Sequence, residues 1–253
     1  MQPGPLIGMV IAFVAIVFGN VLEGGHLSSL LGGPAALIVL GGTIGAVFVQ
    51  YPVSTLKAAA GAAGRTFRKP AQEPRALIEE IVGYANQARL EGILGLEKVA
   101  SNASDPFLSK ALMMAIDGAD STALRETMEI IIDQGEEHGE EAAKVFEAAG
   151  GYSPTIGIIG AVLGLIHVMS NLADINAVGH GIAAAFVATI YGVGVANILF
   201  LPLGGRIKIQ VREASTTQQL TLVGVLAIQE GMNPKLVRER LSAFLHEGGS
   251  KEH

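Results

Sequence analysis

The sequence predicts an all-α integral membrane protein with four transmembrane helices and a helical cytoplasmic domain between helices 2 and 3. Three observations predict it. Half of the 253 residues are hydrophobic, and only 16% are charged, against roughly 25% in soluble domains. The charges are unevenly spread, with none in residues 1–22, 24–53, 148–173 or 175–205. Finally, none of the 17 Lys and Arg residues lies in the two short links "EGGHLSSL" (23–30) and "ADINAVGH" (173–180). A soluble α/β protein with buried strands would not explain why every cation avoids both links.

Each charge-free stretch holds the ~20 apolar residues that a bilayer crossing needs. The spans fall at 4–22, 30–50, 150–171 and 181–203. The first is too long for a signal-peptide core and lacks a basic leader, so it reads as a retained helix. Lys and Arg mark the cytoplasmic side. Ten lie between Lys57 and Lys144 and seven from Arg206 onward, which places both termini and residues 51–149 in the cytoplasm. The chain thus divides into 1–50, 51–149, 150–203 and 204–253.

Residues 51–149 read as helical. Leu77, Ile81, Tyr84 and Ala88 form a stripe at helical spacing, and Gly92 is a break point. Asp105 is an expected N-cap with Pro106 in the first helical turn. From Ser121 the pattern runs without proline into the third span, so one long helix is expected to leave the membrane, with "DQGEEHGEE" (133–141) as a solvated face. After Pro202 come a helix, a Gly-Met-Asn-Pro break at 231–234 and a final basic amphipathic helix.

The chemistry is defined largely by what is missing. A net charge of −6 provides no basic footprint for nucleic acid, and the absence of cysteine excludes disulfides and thiolate metal sites. No nucleophile elbow, phosphate-binding loop or zinc-protease motif is present, so no enzyme, metal or cofactor is expected. "GGTIGA" (41–46) lies inside a span and reads as close helix packing. His167, in the third span, reads as a packing or hydrogen-bonding group.

Small residues recur at four-residue spacing: Gly160 and Gly164, then Ala184, Ala188 and Gly192. Such patterns let helix backbones approach closely and argue for packing between helices, including those of separate copies. Pro154 and Pro202 lie at a similar level near the cytoplasmic edge. Ala161 and Thr189 fall near mid-bilayer. Thr155 and Thr189 supply sparse hydroxyls, each of which either bonds its own helix carbonyl or serves a pathway. None of the four spans holds a carboxylate. A chain that moves protons through lipid needs a titratable carrier, so a carboxylate would have to come from another polypeptide.

Four spans in two hairpins, with "ARLEGILGLE" (88–97), "SPTIGIIGAVLGLIHVM" (153–169), "ATIYGVGVANILFLP" (188–202) and "MNPKLVRERL" (232–241), resemble the MotA/PomA family of flagellar motor stator subunits. The likeness covers nearly the whole chain. It implies a bacterial inner-membrane protein in which five copies surround two MotB-type subunits, each bringing an ion-carrying Asp. Ion flow would turn the ring against the rotor protein FliG. Spans 1 and 2 would be the peripheral hairpin, and spans 3 and 4 would line the pore. The family's rotor-contact charges match Arg89 and Glu97. Its functional prolines match Pro154 and Pro202, and its pore-facing threonine matches Thr189. Sodium-type members carry Thr where this chain has Ala161, so the resemblance implies protons. An ExbB/TolQ-type energy transducer, with three spans and an outside N-terminus, fits the four charge gaps less well. A solute transporter would show internal repeats, and none is seen.

Overall fold

The computed structural model describes residues 4–68, 73–170 and 172–247. The helices are α1 (Gly4–Leu22), α2 (Leu27–Gln50), α3 (Val53–Arg65), α4 (Pro74–Glu91), α5 (Pro106–Ile116), α6 (Ser121–Ser170), α7 (Ile175–Gln229) and α8 (Pro234–Glu247). Between α4 and α5 lie a 3-10 turn (Ile93–Leu96) and one helical turn (Glu97–Ala100). The described residues contain no strand. α1, α2, α6 and α7 are long and apolar enough to cross a membrane.

Side-chain caps set several helix starts. The Asp105 carboxylate accepts from the backbone N–H groups of Phe107 (2.8 Å) and Leu108 (3.0 Å), satisfying donors that the first turn leaves orphaned. Asp120 does the same for α6 and Asp174 for α7. The Asp174 cap starts the fourth membrane helix at Ile175, six residues before the span expected from hydropathy. α4 ends at Gly92, whose φ of +76° lies in the region that glycine adopts freely. Gly231, φ +69°, separates α7 from α8 in the same way.

Two helices contain a wide, π-type turn: Leu37–Gly41 in α2 and Ala196–Phe200 in α7. The second ends two residues before Pro202, and α7 continues through that proline to Gln229. α6 likewise continues through Pro154. Neither proline ends its helix.

The chain forms two compact units. The first comprises residues 1–69 and 139–209. Its outer faces are apolar, and α1 buries no residue within the chain. Such surface suits lipid or neighbouring membrane helices, because hydrocarbon imposes no penalty on exposed Leu or Phe. The second unit comprises residues 70–138 and 210–253. Its core is aliphatic: Leu77, Ile81, Leu108, Leu112, Leu124 and Leu220 are almost fully buried, with polar side chains outside.

Candidate functional site

The first unit is built around the crossing of α6 and α7. A Cβ added at Gly157 would lie 2.9 Å from the Ala188 carbonyl oxygen, and one at Gly164 would lie 3.0 Å from the Gly181 carbonyl oxygen. One at Gly192 would lie 2.7 Å from the Ser153 carbonyl oxygen. The neighbours are backbone atoms, which cannot swing aside. Small residues are therefore a steric requirement here. The expected Gly160–Gly164 pair takes part, with a Cβ on Gly160 falling 2.9 Å from that of Ala188. The facing register on α7 is Gly181, Ala185, Ala188 and Gly192. Ala184 points away and is exposed, so the four-residue run that includes it is not the packed seam. This seam closes within one chain, whereas the spacing also allowed contact between copies.

The proline region lies at one end of this seam. Pro154 has no N–H to give the Gly150 carbonyl. The Thr155 hydroxyl does not replace it and donates instead to the Tyr152 carbonyl at 2.8 Å. A Cβ on Gly192 would lie 3.2 Å from the Pro154 Cα, so α7 packs directly against the proline. α7 runs on from Gly192 past Leu201, which abuts Gly150, to Pro202, about 15 Å of helix, so the two prolines do not share one level. The π-type turn that precedes Pro202 lies between these levels.

Ala161 and Thr189 each follow the residue that makes the Gly160–Ala188 contact on antiparallel helices, so their depths differ by about 3 Å. Both are partly buried. The Thr189 hydroxyl donates to the Ala185 carbonyl at 3.2 Å, one turn back on its own helix. Within a single chain, neither threonine offers a free hydroxyl proton, though each oxygen keeps acceptor capacity. His167 lies on an exposed face of α6. Among the described residues no cluster of His, Asp and Glu could hold a metal ion.

Sequence reasoning missed several polar ties. Ser153, fully buried, donates to the Gly192 carbonyl at 3.0 Å and joins α6 to α7 beside Pro154. The Tyr191 hydroxyl donates to the Leu30 carbonyl at 2.7 Å and accepts from the Gly32 N–H at 3.2 Å, pinning the start of α2 to α7. Tyr152 donates to Gln50 at 2.8 Å, Gln50 donates to Tyr51, and Tyr51 donates to the Lys144 carbonyl. A serine directly before an intramembrane proline was the one available hint of these ties.

In the second unit, Arg89 occupies the last turn of α4 and Glu97 opens the turn after Gly92. Both are exposed, and among the described residues neither has an ion-pair partner. Each charge complements its helix end, a cation at a C-terminus and an anion at an N-terminus. Gln87 braces the bend between them, donating to Glu91 at 3.0 Å and to the Gly95 carbonyl at 3.1 Å. Glu80 accepts from the Ser104 N–H at 3.0 Å and from the Tyr84 hydroxyl at 2.7 Å, holding the following loop to α4. Burial, and then the Glu80 carboxylate, push the Tyr84 phenol well above its usual range.

Residues 6–87 match the motility protein A N-terminal family, and residues 99–219 match the MotA/TolQ/ExbB proton channel family. Motility protein A of Bacillus subtilis is 35% identical over 97% of this chain and 91% of its own length. The chain belongs to the MotA family of flagellar stator subunits. PomA of Vibrio alginolyticus, a chemotaxis protein, is 32% identical over 98% of this chain and 97% of its own. The solved MotAB structure from C. jejuni superposes with a TM-score of 0.94 at 30% identity, covering 100% of this chain and 99% of that one. The MotA architecture, all-helical with four membrane helices and a helical cytoplasmic domain between the second and third, is thus that of this chain. Overall likeness does not choose the ion, since MotA and PomA relatives are almost equally similar.

Proposed function

We propose that this chain, with a MotB-type partner, couples proton flow across the bacterial inner membrane to torque on the flagellar rotor. The observation that carries the reading is an apolar, glycine-seamed pair of membrane spans, 150–171 and 181–203, without a carboxylate, in a chain of the MotA family. The relatives solved as MotAB complexes support a MotB-type partner, which by family resemblance supplies the ion-carrying Asp. The apolar outer faces suit a homo-oligomer, a pentamer by family resemblance, set in the bilayer. Both termini lie in the cytoplasm in this reading, which the absence of Lys and Arg from the two short links supports.

In this reading residues 1–50 are the peripheral hairpin and 150–203 line the pore. Residues 51–149 and 204–253 are cytoplasmic. Pro154, Thr155 and Pro202 form the coupling region where α6 and α7 change shape. Ala161 and Thr189 face the partner Asp, while Arg89 and Glu97 meet FliG. No metal or cofactor is required.

Protons are favoured on coordination grounds. Na⁺ must replace its water with oxygen ligands, because a bare cation in hydrocarbon is prohibitively costly. Ala161 brings no side-chain oxygen to the level of Thr189, whereas a proton needs only the carboxylate and a water path. The test is expression with a MotB-type partner in a stator-deleted host. Swimming speed is measured against external Na⁺ at fixed pH, with and without a protonophore. Speed that collapses with protonophore and ignores Na⁺ is expected. Speed that tracks Na⁺ would make this a PomA-type stator, and no swimming would count against the stator assignment.

A further inference from the structure

The segment that leaves the second span stands apart by charge. Residues 51–72 hold Lys57, Arg65, Arg68 and Lys69 and no Asp or Glu, in a protein whose net charge is −6. The point of exit is pinned to α6: Tyr152 donates to Gln50, and Tyr51 donates to the Lys144 carbonyl. α3 starts at Val53, directly after Pro52, so its first turn lies at the edge of the span.

α3 has two faces. Ala59, Ala62 and Thr66 are buried, and Thr55, Leu56 and Ala63 are partly so. Lys57, Gly61, Gly64 and Arg65 recur at helical spacing on the opposite side and are exposed. Arg68 follows, exposed, in the turn after the helix. Lys57 and Arg68 have no ion-pair partner among the described residues. Val53, 54% exposed, precedes Lys57 by one turn on the same side.

Two glycines lie between Lys57 and Arg65. After proline, glycine is the poorest helix former. Yet a Cβ added at Gly61 or Gly64 would meet nothing within 4 Å, unlike one at Gly157, Gly164 or Gly192. Packing inside the chain does not call for glycine at either position. What the pair creates is a bare patch of backbone flanked by cations, where a bulky anion reaches both.

We propose that this face of α3 binds the phosphate of an anionic phospholipid, seated on the Gly61–Gly64 patch between Lys57 and Arg65 with Arg68 at its rim. Lys meets phosphate as a point charge and Arg as a fork of donors. Lipid is the occupant because the face is wholly cationic, continues directly from a membrane span and opens with an exposed apolar side chain suited to the headgroup–acyl boundary. The chain passes from the first unit to the second at residue 70, so a bound lipid fixes the membrane-side end of that connection. The proposal goes beyond the stator reading and requires only that α2 spans the bilayer.

The test uses the full stator complex in neutral detergent, titrated with phosphatidylglycerol and with phosphatidylcholine of the same acyl chains, with bound lipid counted by native mass spectrometry. Each copy of the chain is expected to hold one phosphatidylglycerol that a tenfold excess of phosphatidylcholine does not replace. Lys57→Gln, Arg65→Gln and Arg68→Gln together are expected to abolish that retention. Gly61→Leu with Gly64→Leu keeps every charge and has open space at both positions, and it is expected to weaken retention at least threefold. No retained lipid in the wild type, or retention unchanged in either variant, overturns the site. Displacement by inorganic phosphate or water-soluble glycerophosphoglycerol would make the ligand a soluble phosphate and overturn the lipid. If either variant dissociates the complex, as read by mass photometry, the face holds a second copy of this chain and the proposal is overturned.

Discussion

The membrane unit and the helical domain solve the packing problem in opposite ways. In the helical domain, large aliphatic side chains such as Leu108 and Leu112 are buried between α5 and its neighbours. In the membrane unit the large side chains point outward, and the inside is filled by Gly157, Gly164, Gly181 and Gly192. Water drives the first arrangement, because burying leucine removes apolar area from solvent. Lipid offers no such gain, so α6 and α7 associate by close backbone approach. The domain is therefore sensitive to losing volume and the seam to gaining it.

That contrast is open to direct challenge. The largest effect is expected from Gly192→Val, which sets a branched side chain against the Ser153 carbonyl. Because the obstacle is backbone, destabilisation should exceed the usual 1–3 kcal/mol of overpacking, at about 4 kcal/mol. Gly194→Val, where an added Cβ meets nothing within 4 Å, changes the same residue type without the clash. Thermal unfolding of both variants in detergent checks this, and equal losses would refute the steric seam. Next comes Leu112→Ala in the domain, expected to cost about 3 kcal/mol by cavity formation. An added methylene in that core should cost less, the reverse of the membrane unit.

Smaller effects sharpen the picture. Ser153→Ala removes the buried tie to Gly192 and should cost about 1 kcal/mol. If the tie also restrains the Pro154 region, ion flux through the complex should change by more than that loss predicts. Tyr84→Phe should cost about 1 kcal/mol through the lost bond to Glu80. Its pH dependence has a definite sign. A phenol held above its ordinary value of 10.0 contributes fully below that pH and fades as pH rises toward its folded value. Chemical denaturation of wild type and variant between pH 8 and about 11 should thus show the difference shrinking only at the alkaline end. A difference that grows with pH would contradict the assignment.

What the sequence revealed follows the same division. The four spans, the Asp105 cap, the Gly92 break and the run of α6 from Ser121 into the third span were legible because each rests on local chemistry: charge gaps, a capping carboxylate, a glycine, an absence of proline before Pro154. The α7 seam was legible only in part. Both Ala184 and Ala185 are small, and spacing alone did not say which faces α6. The π-type turns at 37–41 and 196–200 left no local mark beyond Pro202 two residues downstream of the second. Tyr191 and Ser153 bind partners 161 and 39 residues away, a distance over which periodicity carries no information. For Arg89 and Glu97, placement on an exposed bend was readable, but the approach of Ile228 and Met232 to Arg89 from the far end of the chain was not.

The central claim is that the pathway in this chain is complete only when another polypeptide brings a carboxylate. Proton flux into proteoliposomes under an imposed pH gradient tests it most directly, comparing this chain alone, the chain with its MotB-type partner activated for flux, and the same pair with the partner's membrane Asp changed to Asn. The account predicts flux in the second preparation and, in the first and third, leakage no faster than from empty vesicles. Robust flux through this chain alone would contradict it.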